Sequence, residues 1–196
     1  MKLIAEICQD KEIKCKQFKL RRKVRVILLD DDNRIAVMNI TKAGFHILPG
    51  GGIDGNETNA EACYRECLEE VGASIEILCE LGLTITQRNT DARLNFDYCY
   101  VAKVIGNLQS VSFTEGEIFG GYKLEWYDIN DAILIFKEEE KKQYSSEWAK
   151  YLDAKNFTED MKNLEFIKHK PVVERELAIL KEYHENYMNG INIKTI

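Results

Sequence analysis

One stretch, Leu48–Ala73 (LPGGGIDGNETNAEACYRECLEEVGA), constrains this chain more than any other. Pro49 is followed by Gly50, Gly51 and Gly52, and Gly55 comes soon after. Such backbone bends through positive φ and lets a ligand approach the bare chain closely. Thr58 and Glu61 have the spacing of a capping box, in which a hydroxyl and a carboxylate satisfy orphan N–H groups. The pattern predicts a helix over Asn59–Val71, closed by Gly72 in the left-handed C′ conformation.

That helix has two faces. At about 100° per residue, Glu66, Glu69 and Glu70 fall within an arc of roughly 100°. Ala60, Cys63, Tyr64, Cys67, Leu68 and Val71 form the adjoining apolar arc. Like charges at these spacings destabilise a bare helix by about 0.2–0.5 kcal/mol per pair. Arg65 alone cannot neutralise three of them. A hard divalent cation can, since Mg²⁺ takes oxygen ligands and keeps waters for use with phosphates. The plainer alternative is a solvated acidic face.

The spacing goes further. Gly51, Glu57, Arg65, Glu66, Cys67, Glu69, Glu70, Gly72 and Ala73 match Gly-x5-Glu-x7-Arg-Glu-U-x-Glu-Glu-x-Gly-U, where U is a bulky aliphatic residue. This pattern resembles the Nudix box of the MutT/Nudix hydrolases. All the fixed Gly, Glu and Arg positions are present, while Cys67 and Ala73 are small for the U positions. The resemblance implies an α+β fold, a Nudix-like α/β/α sandwich with a mixed central sheet. It implies Mg²⁺ or Mn²⁺ held by Glu66, Glu69, Glu70 and the backbone carbonyl of Gly50. Glu66 and Glu70 would be the main ligands, and Glu66 could serve as base for the attacking water. A glutamate of a later loop, Glu115 or Glu117, competes for that role. Arg65 and Glu57 would form a structural ion pair, with Gly72 structural as well, and Gly51, Gly52 and Arg88 would meet substrate.

Composition bounds the rest. A chain of 196 residues with 45% hydrophobic content is expected to form one globular domain, or one with an extension. The expected organisation is a catalytic domain over residues 1–143 and a helical C-terminal extension over 144–196, packed on the core. A net charge of −6 argues against a general nucleic-acid coat. The six cysteines form no CxxC pair, so a zinc site is not expected. The lack of a signal peptide and of any long apolar run points to a reducing cytoplasm and no membrane partner.

Along the chain, Lys11–Arg25 is rich in Lys and Arg. It reads as a solvated strand face, or as a surface for phosphate steering or for a second subunit in a homodimer. Val24–Leu29 and Arg34–Met38 read as strands around the turn Asp30–Asn33. His46 leads into the glycine turn, either packed or in reach of a phosphate. Ser74–Gln87 and Leu94–Val104 read as strands, the latter with Phe96, Tyr98, Tyr100 and Ala102 on one face. Thr114–Gly121 reads as an acidic glycine-rich loop, and Leu124–Tyr127 as a short strand. A helix is expected over Asp128–Lys142. Trp148, Tyr151 and Leu152 form one apolar set, and Val173, Leu177, Leu180, Tyr183 and Tyr187 repeat at helical spacing after Pro171, read as an N1 residue.

The resemblance implies hydrolysis of a nucleoside diphosphate linked to some group X, a small-molecule nucleotide. The ADP-ribose class carries a Pro after the box, yet the only prolines here are Pro49 and Pro171. The dinucleoside polyphosphate class often has a Tyr where this chain has Asn89, Thr90 and Asp91. Elimination leaves a nucleoside triphosphate pyrophosphatase of the MutT sort, with an ADP-ribose or nucleotide-sugar pyrophosphatase next. A non-catalytic nucleotide sensor is the alternative from another class, and the intact Glu66, Glu69 and Glu70 weigh against it.

Overall fold

The computed structural model describes residues 1–8, 17–89, 92–141 and 159–186, the last span with side chains only from Lys170 onward. Seven strands form one mixed sheet. They are β1 (Leu3–Cys8), β2 (Lys19–Leu29), β3 (Ile35–Ile40), β4 (Phe45–Ile47), β5 (Ser74–Arg88), β6 (Arg93–Ile105) and β7 (Tyr122–Tyr127). Their order is β1-β5-β6-β2-β3-β4, with β7 also paired to β3. The β1–β5 and β2–β6 pairs are parallel, and the others are antiparallel.

Both sheet faces are covered, as period-2 strands with apolar residues on either side require. On one face Val24, Val26, Leu28, Tyr100 and Ala102 pack on helix α1 (Asn59–Val71) through Ala62, Cys63, Cys67 and Val71. On the other, Ile27, Leu29, Cys99 and Val101 pack on α3 (Ile129–Glu139) and α4 (Glu159–Asn186). This is the α/β/α sandwich expected from the motif. The apolar repeat Val173, Leu177, Leu180 and Tyr183 sits in that second core. No helix among the described residues is long and apolar enough to cross a membrane.

Three expectations change. Thr114–Gly121 is not an open loop, because Glu115–Gly120 forms a short helix, α2. Its Thr114–Glu117 capping box repeats the Thr58–Glu61 arrangement and outweighs the helix-weakening glycines. Pro171 is not at a helix start but inside α4. A proline there loses one backbone hydrogen bond, and burial of the following turns against the core offsets that loss. The basic strand is only partly solvated: Lys19, Arg21 and Arg22 are exposed, Lys23 is half-buried and Arg25 is buried. Trp148, Tyr151, Leu152, Tyr187, Thr90, Asp91 and Lys142 lie outside the described residues.

Candidate active site

The glycine turn is built against β2. Val24 N–H donates to Gly51 O and Val26 N–H to Pro49 O, each at 2.9 Å, so residues 49–51 run beside β2. Gly50 has φ +133°, and a Cβ there would lie 2.3 Å from Val24 O. A Cβ on Gly51 would lie 2.3 Å from a carboxylate oxygen of Glu66. Only bare backbone lets turn, strand and helix approach this closely.

Helix α1 begins and ends as its caps dictate. Thr58 and Glu61 make both capping-box bonds, and Gly72 adopts φ 71°, its N–H bonding back to the last turn. The loop after β6 is tied to the end of this helix, with Gln109 N–H donating to Gly72 O and Ser112 N–H to Glu69 O. That tether brings α2 alongside.

A cleft of about 500 Å³ results. It is lined by Glu66, Glu69 and Glu70 from α1, by Glu117 from α2 and by Arg21, Lys23 and Arg25 from β2. Gly50, Gly51 and Gly52 line it as well. Arg65 organises the carboxylates. Its Nε and Nη2 donate to the two Glu57 oxygens at 2.9 and 3.0 Å, and Nη2 also reaches Gly52 O at 2.7 Å. Its Nη1 bonds Glu66 at 2.7 Å and Glu69 at 3.1 Å. Glu70 is buried and accepts from Gly50 N–H at 2.8 Å.

The electrostatics follow from this burial. Burial pushes the Glu66 carboxyl up, against the opposing pull of Arg65. Burial raises Glu70 further, to about 8, although Gly50 N–H and Arg25 favour its charged form. Burial and the neighbouring Arg25 bring Lys23 down to about 7. The Arg65 hydrogen bond holds Glu57 below its ordinary value.

An all-oxygen donor set that includes a carboxyl raised by burial suits a hard divalent ion, whose charge would offset that burial. The donors are not gathered into a cage. Among the described residues no three His, Cys, Asp or Glu side chains converge as a metal site, because Glu66 and Glu69 turn to Arg65 while Glu70 turns to Gly50.

Of the residues expected from sequence, Gly50, Gly51, Gly52, Arg65, Glu66, Glu69, Glu70 and Glu117 line the cleft. Glu57 reaches it through Arg65, and Gly72 closes the helix. Glu115 does not line it, since the capping box turns Glu117 rather than Glu115 toward Thr114 and α1. Arg88, at the far end of β5, is not among the lining residues. His46 is held away from the cleft by Glu139 and Glu125, with Nδ1 2.5 Å from Glu139 Oε1.

Sequence reasoning passed over Arg25. Its Nη1 bonds the Gly50 carbonyl, and its Nε lies 3.3 Å from Glu176 and 3.9 Å from Asp97. Arg175 of α4 completes this buried group, 3.3 Å from Asp97 and paired with Glu176. A charge inside the apolar run Val24–Leu29 was the available signal.

The sequence profile of the NUDIX domain matches residues 19–149. Diphosphoinositol polyphosphate phosphohydrolase 3-beta of Homo sapiens is 33% identical over 91 residues, 46% of this chain and 52% of that protein. An RNA pyrophosphohydrolase of Halorhodospira halophila is 38% identical over 64 residues, 33% of this chain and 35% of that one. The chain thus spans about half the length, or less, of these curated relatives. Among solved structures, a NUDIX hydrolase from Nitrosomonas europaea superposes with TM-score 0.50 at 15% identity, covering 79% of this chain and 91% of that one, a likeness of fold.

Proposed function

Because this chain belongs to the Nudix family, we propose that it hydrolyses a phosphoanhydride bond in a nucleoside diphosphate linked to X, with a nucleoside triphosphate as the leading substrate. The observation that carries this reading is the mixed charge of one cleft: Glu66, Glu69, Glu70 and Glu117 line it together with Arg21, Lys23 and Arg25 and the glycine turn. Four carboxylates alone would repel a polyphosphate. Sharing the cleft with three cations, they leave room for one partner rich in anionic oxygen and another that is a cation.

Glu66, Glu69, Glu70 and the Gly50 carbonyl would hold Mg²⁺ or Mn²⁺. Such an ion neutralises phosphate oxygens and lowers the pKa of bound water. The three cations orient the phosphates so that water meets phosphorus in line. One P–O bond forms from the water, the bridging P–O bond breaks, and its electron pair leaves on the departing phosphate. Glu66, whose carboxyl lies at the turn, or Glu117 of α2, accepts the water proton. The Glu57–Arg65 pair holds loop to helix and is a positioning element.

The test is phosphate release with and without Mg²⁺ or Mn²⁺ across nucleoside triphosphates, ADP-ribose and nucleotide sugars. Glu66→Gln and Glu70→Gln are each expected to lower kcat by several orders of magnitude while circular dichroism stays native. Near-normal turnover in either variant removes that residue from the site. Tight nucleotide binding with no metal-dependent turnover would establish the sensor reading instead. A diphosphoinositol polyphosphate is the second reading, favoured by the three cations of β2 and by the likeness to the human phosphohydrolase.

A further inference from the structure

One buried group of charges reaches the cleft through a single member. Arg25 of β2 and Asp97 of β6 meet Arg175 and Glu176 of α4, all four buried, and of these only Arg25 lines the cleft. Apolar residues would hold α4 to the sheet as well or better, because burying such pairs costs desolvation that their attraction barely repays. The group is also incompletely closed. Among the described residues neither oxygen of Asp97 accepts a hydrogen bond, nor does Glu176 Oε2. Adhesion alone does not account for it.

Arg25 Nε lies 3.3 Å from Glu176 Oε1, while Nη1 donates to Gly50 O. The Gly50 peptide is held on its other side too, since its N–H donates to Glu70 Oε2 at 2.8 Å. A continuous path thus runs from α4 through Glu176, Arg25 and Gly50 to Glu70 on α1. A carbonyl oxygen has two lone pairs, so Arg25 occupies one and leaves the other for a cation.

We propose that Glu176 is a positioning residue for the divalent cation. It holds Arg25, Arg25 holds the Gly50 carbonyl, and α4 thereby sets the metal affinity of a site whose lining includes none of its residues. The proposal rests on the hydrolase reading above, which gives that carbonyl to the metal. Without Glu176, the anion left beside Arg25 Nε is Asp97, 3.9 Å away. A guanidinium drawn to Asp97 gives up Gly50 O.

The experiment titrates Mn²⁺ into the intact protein without nucleotide, followed by electron paramagnetic resonance, in parallel with metal-dependent turnover. Glu176→Gln is expected to weaken Mn²⁺ binding about tenfold or more, as loss of a partner that orients a metal ligand does. The double variant Arg175→Met/Glu176→Met removes one charge of each sign and fills the space with apolar side chains, leaving Arg25 and Asp97 in balance. It is expected to weaken Mn²⁺ binding as well, and it carries the test alone should Glu176→Gln not fold. Leu180→Ala, buried in the same helix but outside the charged group, is expected to lower the thermal midpoint with Mn²⁺ binding unchanged. Parental Mn²⁺ binding in the double variant would overturn the positioning role and leave the hydrolase reading intact. An equal weakening in Leu180→Ala would overturn it too, by showing that any loosening of α4 suffices. A parent protein with neither Mn²⁺ binding nor metal-dependent turnover would overturn both.

Discussion

Arg65 joins Glu57, Glu66, Glu69 and the Gly52 carbonyl through one planar head. A lysine supplies a point charge and cannot make this fork. Arg65→Lys is therefore expected to cost on the order of 1–3 kcal/mol, the scale of a hydrogen bond to a charged group. A fall of several degrees in the thermal midpoint would register it, and an unchanged midpoint would mean the fork is dispensable. Lys23 presents a different case. Burial and Arg25 bring its folded pKa from 10.5 to about 7. Between those values the unfolded chain holds a proton that the folded chain has released, so this residue makes stability rise with pH there. Lys23→Met is expected to flatten that slope in urea titrations run from pH 7 to 10. In the folded chain the Lys23 charge in the cleft fades as pH rises through about 7, and if phosphates bind there as proposed the same variant should remove the corresponding rise in KM.

Helix α1 owes its boundaries to local chemistry, which is why the chain's order of residues revealed them. Thr58, Glu61 and Gly72 act within a few positions of themselves. Gly72→Ala places a Cβ 2.1 Å from Gln109 O at φ +71° and is expected to cost on the order of 1–2 kcal/mol or more. Chemical denaturation would show it, together with loosening of the loop tethered at Gln109. Helix α2 carried the same cap signature in Thr114 and Glu117, hidden behind Gly116, Gly120 and Gly121. The site's cations were not legible in the same way. Arg25 looks like an exposed strand charge until Asp97 and Glu176, distant in sequence, are brought beside it. At the far edge, β4, β7 and α3 meet through His46, Glu125 and Glu139. Burial works to raise the Glu125 carboxyl, but hydrogen bonds from Tyr127, Lys123 and Asn39 outweigh it and hold it at about 2. Its stabilisation is present above the ordinary value of 4.5 and disappears as pH falls toward 2. Glu125→Gln should shrink the acid-dependent drop in unfolding midpoint over that window.

Across the whole molecule, α4 is joined to β2 by charge as well as by Leu177 and Leu180. Arg25, Asp97, Arg175 and Glu176 form two cations and two anions, all buried. Such a group adds little net stability compared with apolar packing, but removing one member leaves an uncompensated buried charge. Arg175→Met is expected to cost about 3–5 kcal/mol by that argument, measured as loss of the native thermal transition. A loss below about 1 kcal/mol would mean that α4 merely rests on the sheet.

The same group sets an order for biosynthesis. A ribosome that has released β6 and β7 has already made every strand and both helices whose carboxylates line the cleft, yet Asp97 and Arg25 still lack the pair that α4 delivers. Arg25 and Asp97 then have only each other, 3.9 Å apart, until Arg175 and Glu176 pack beside them.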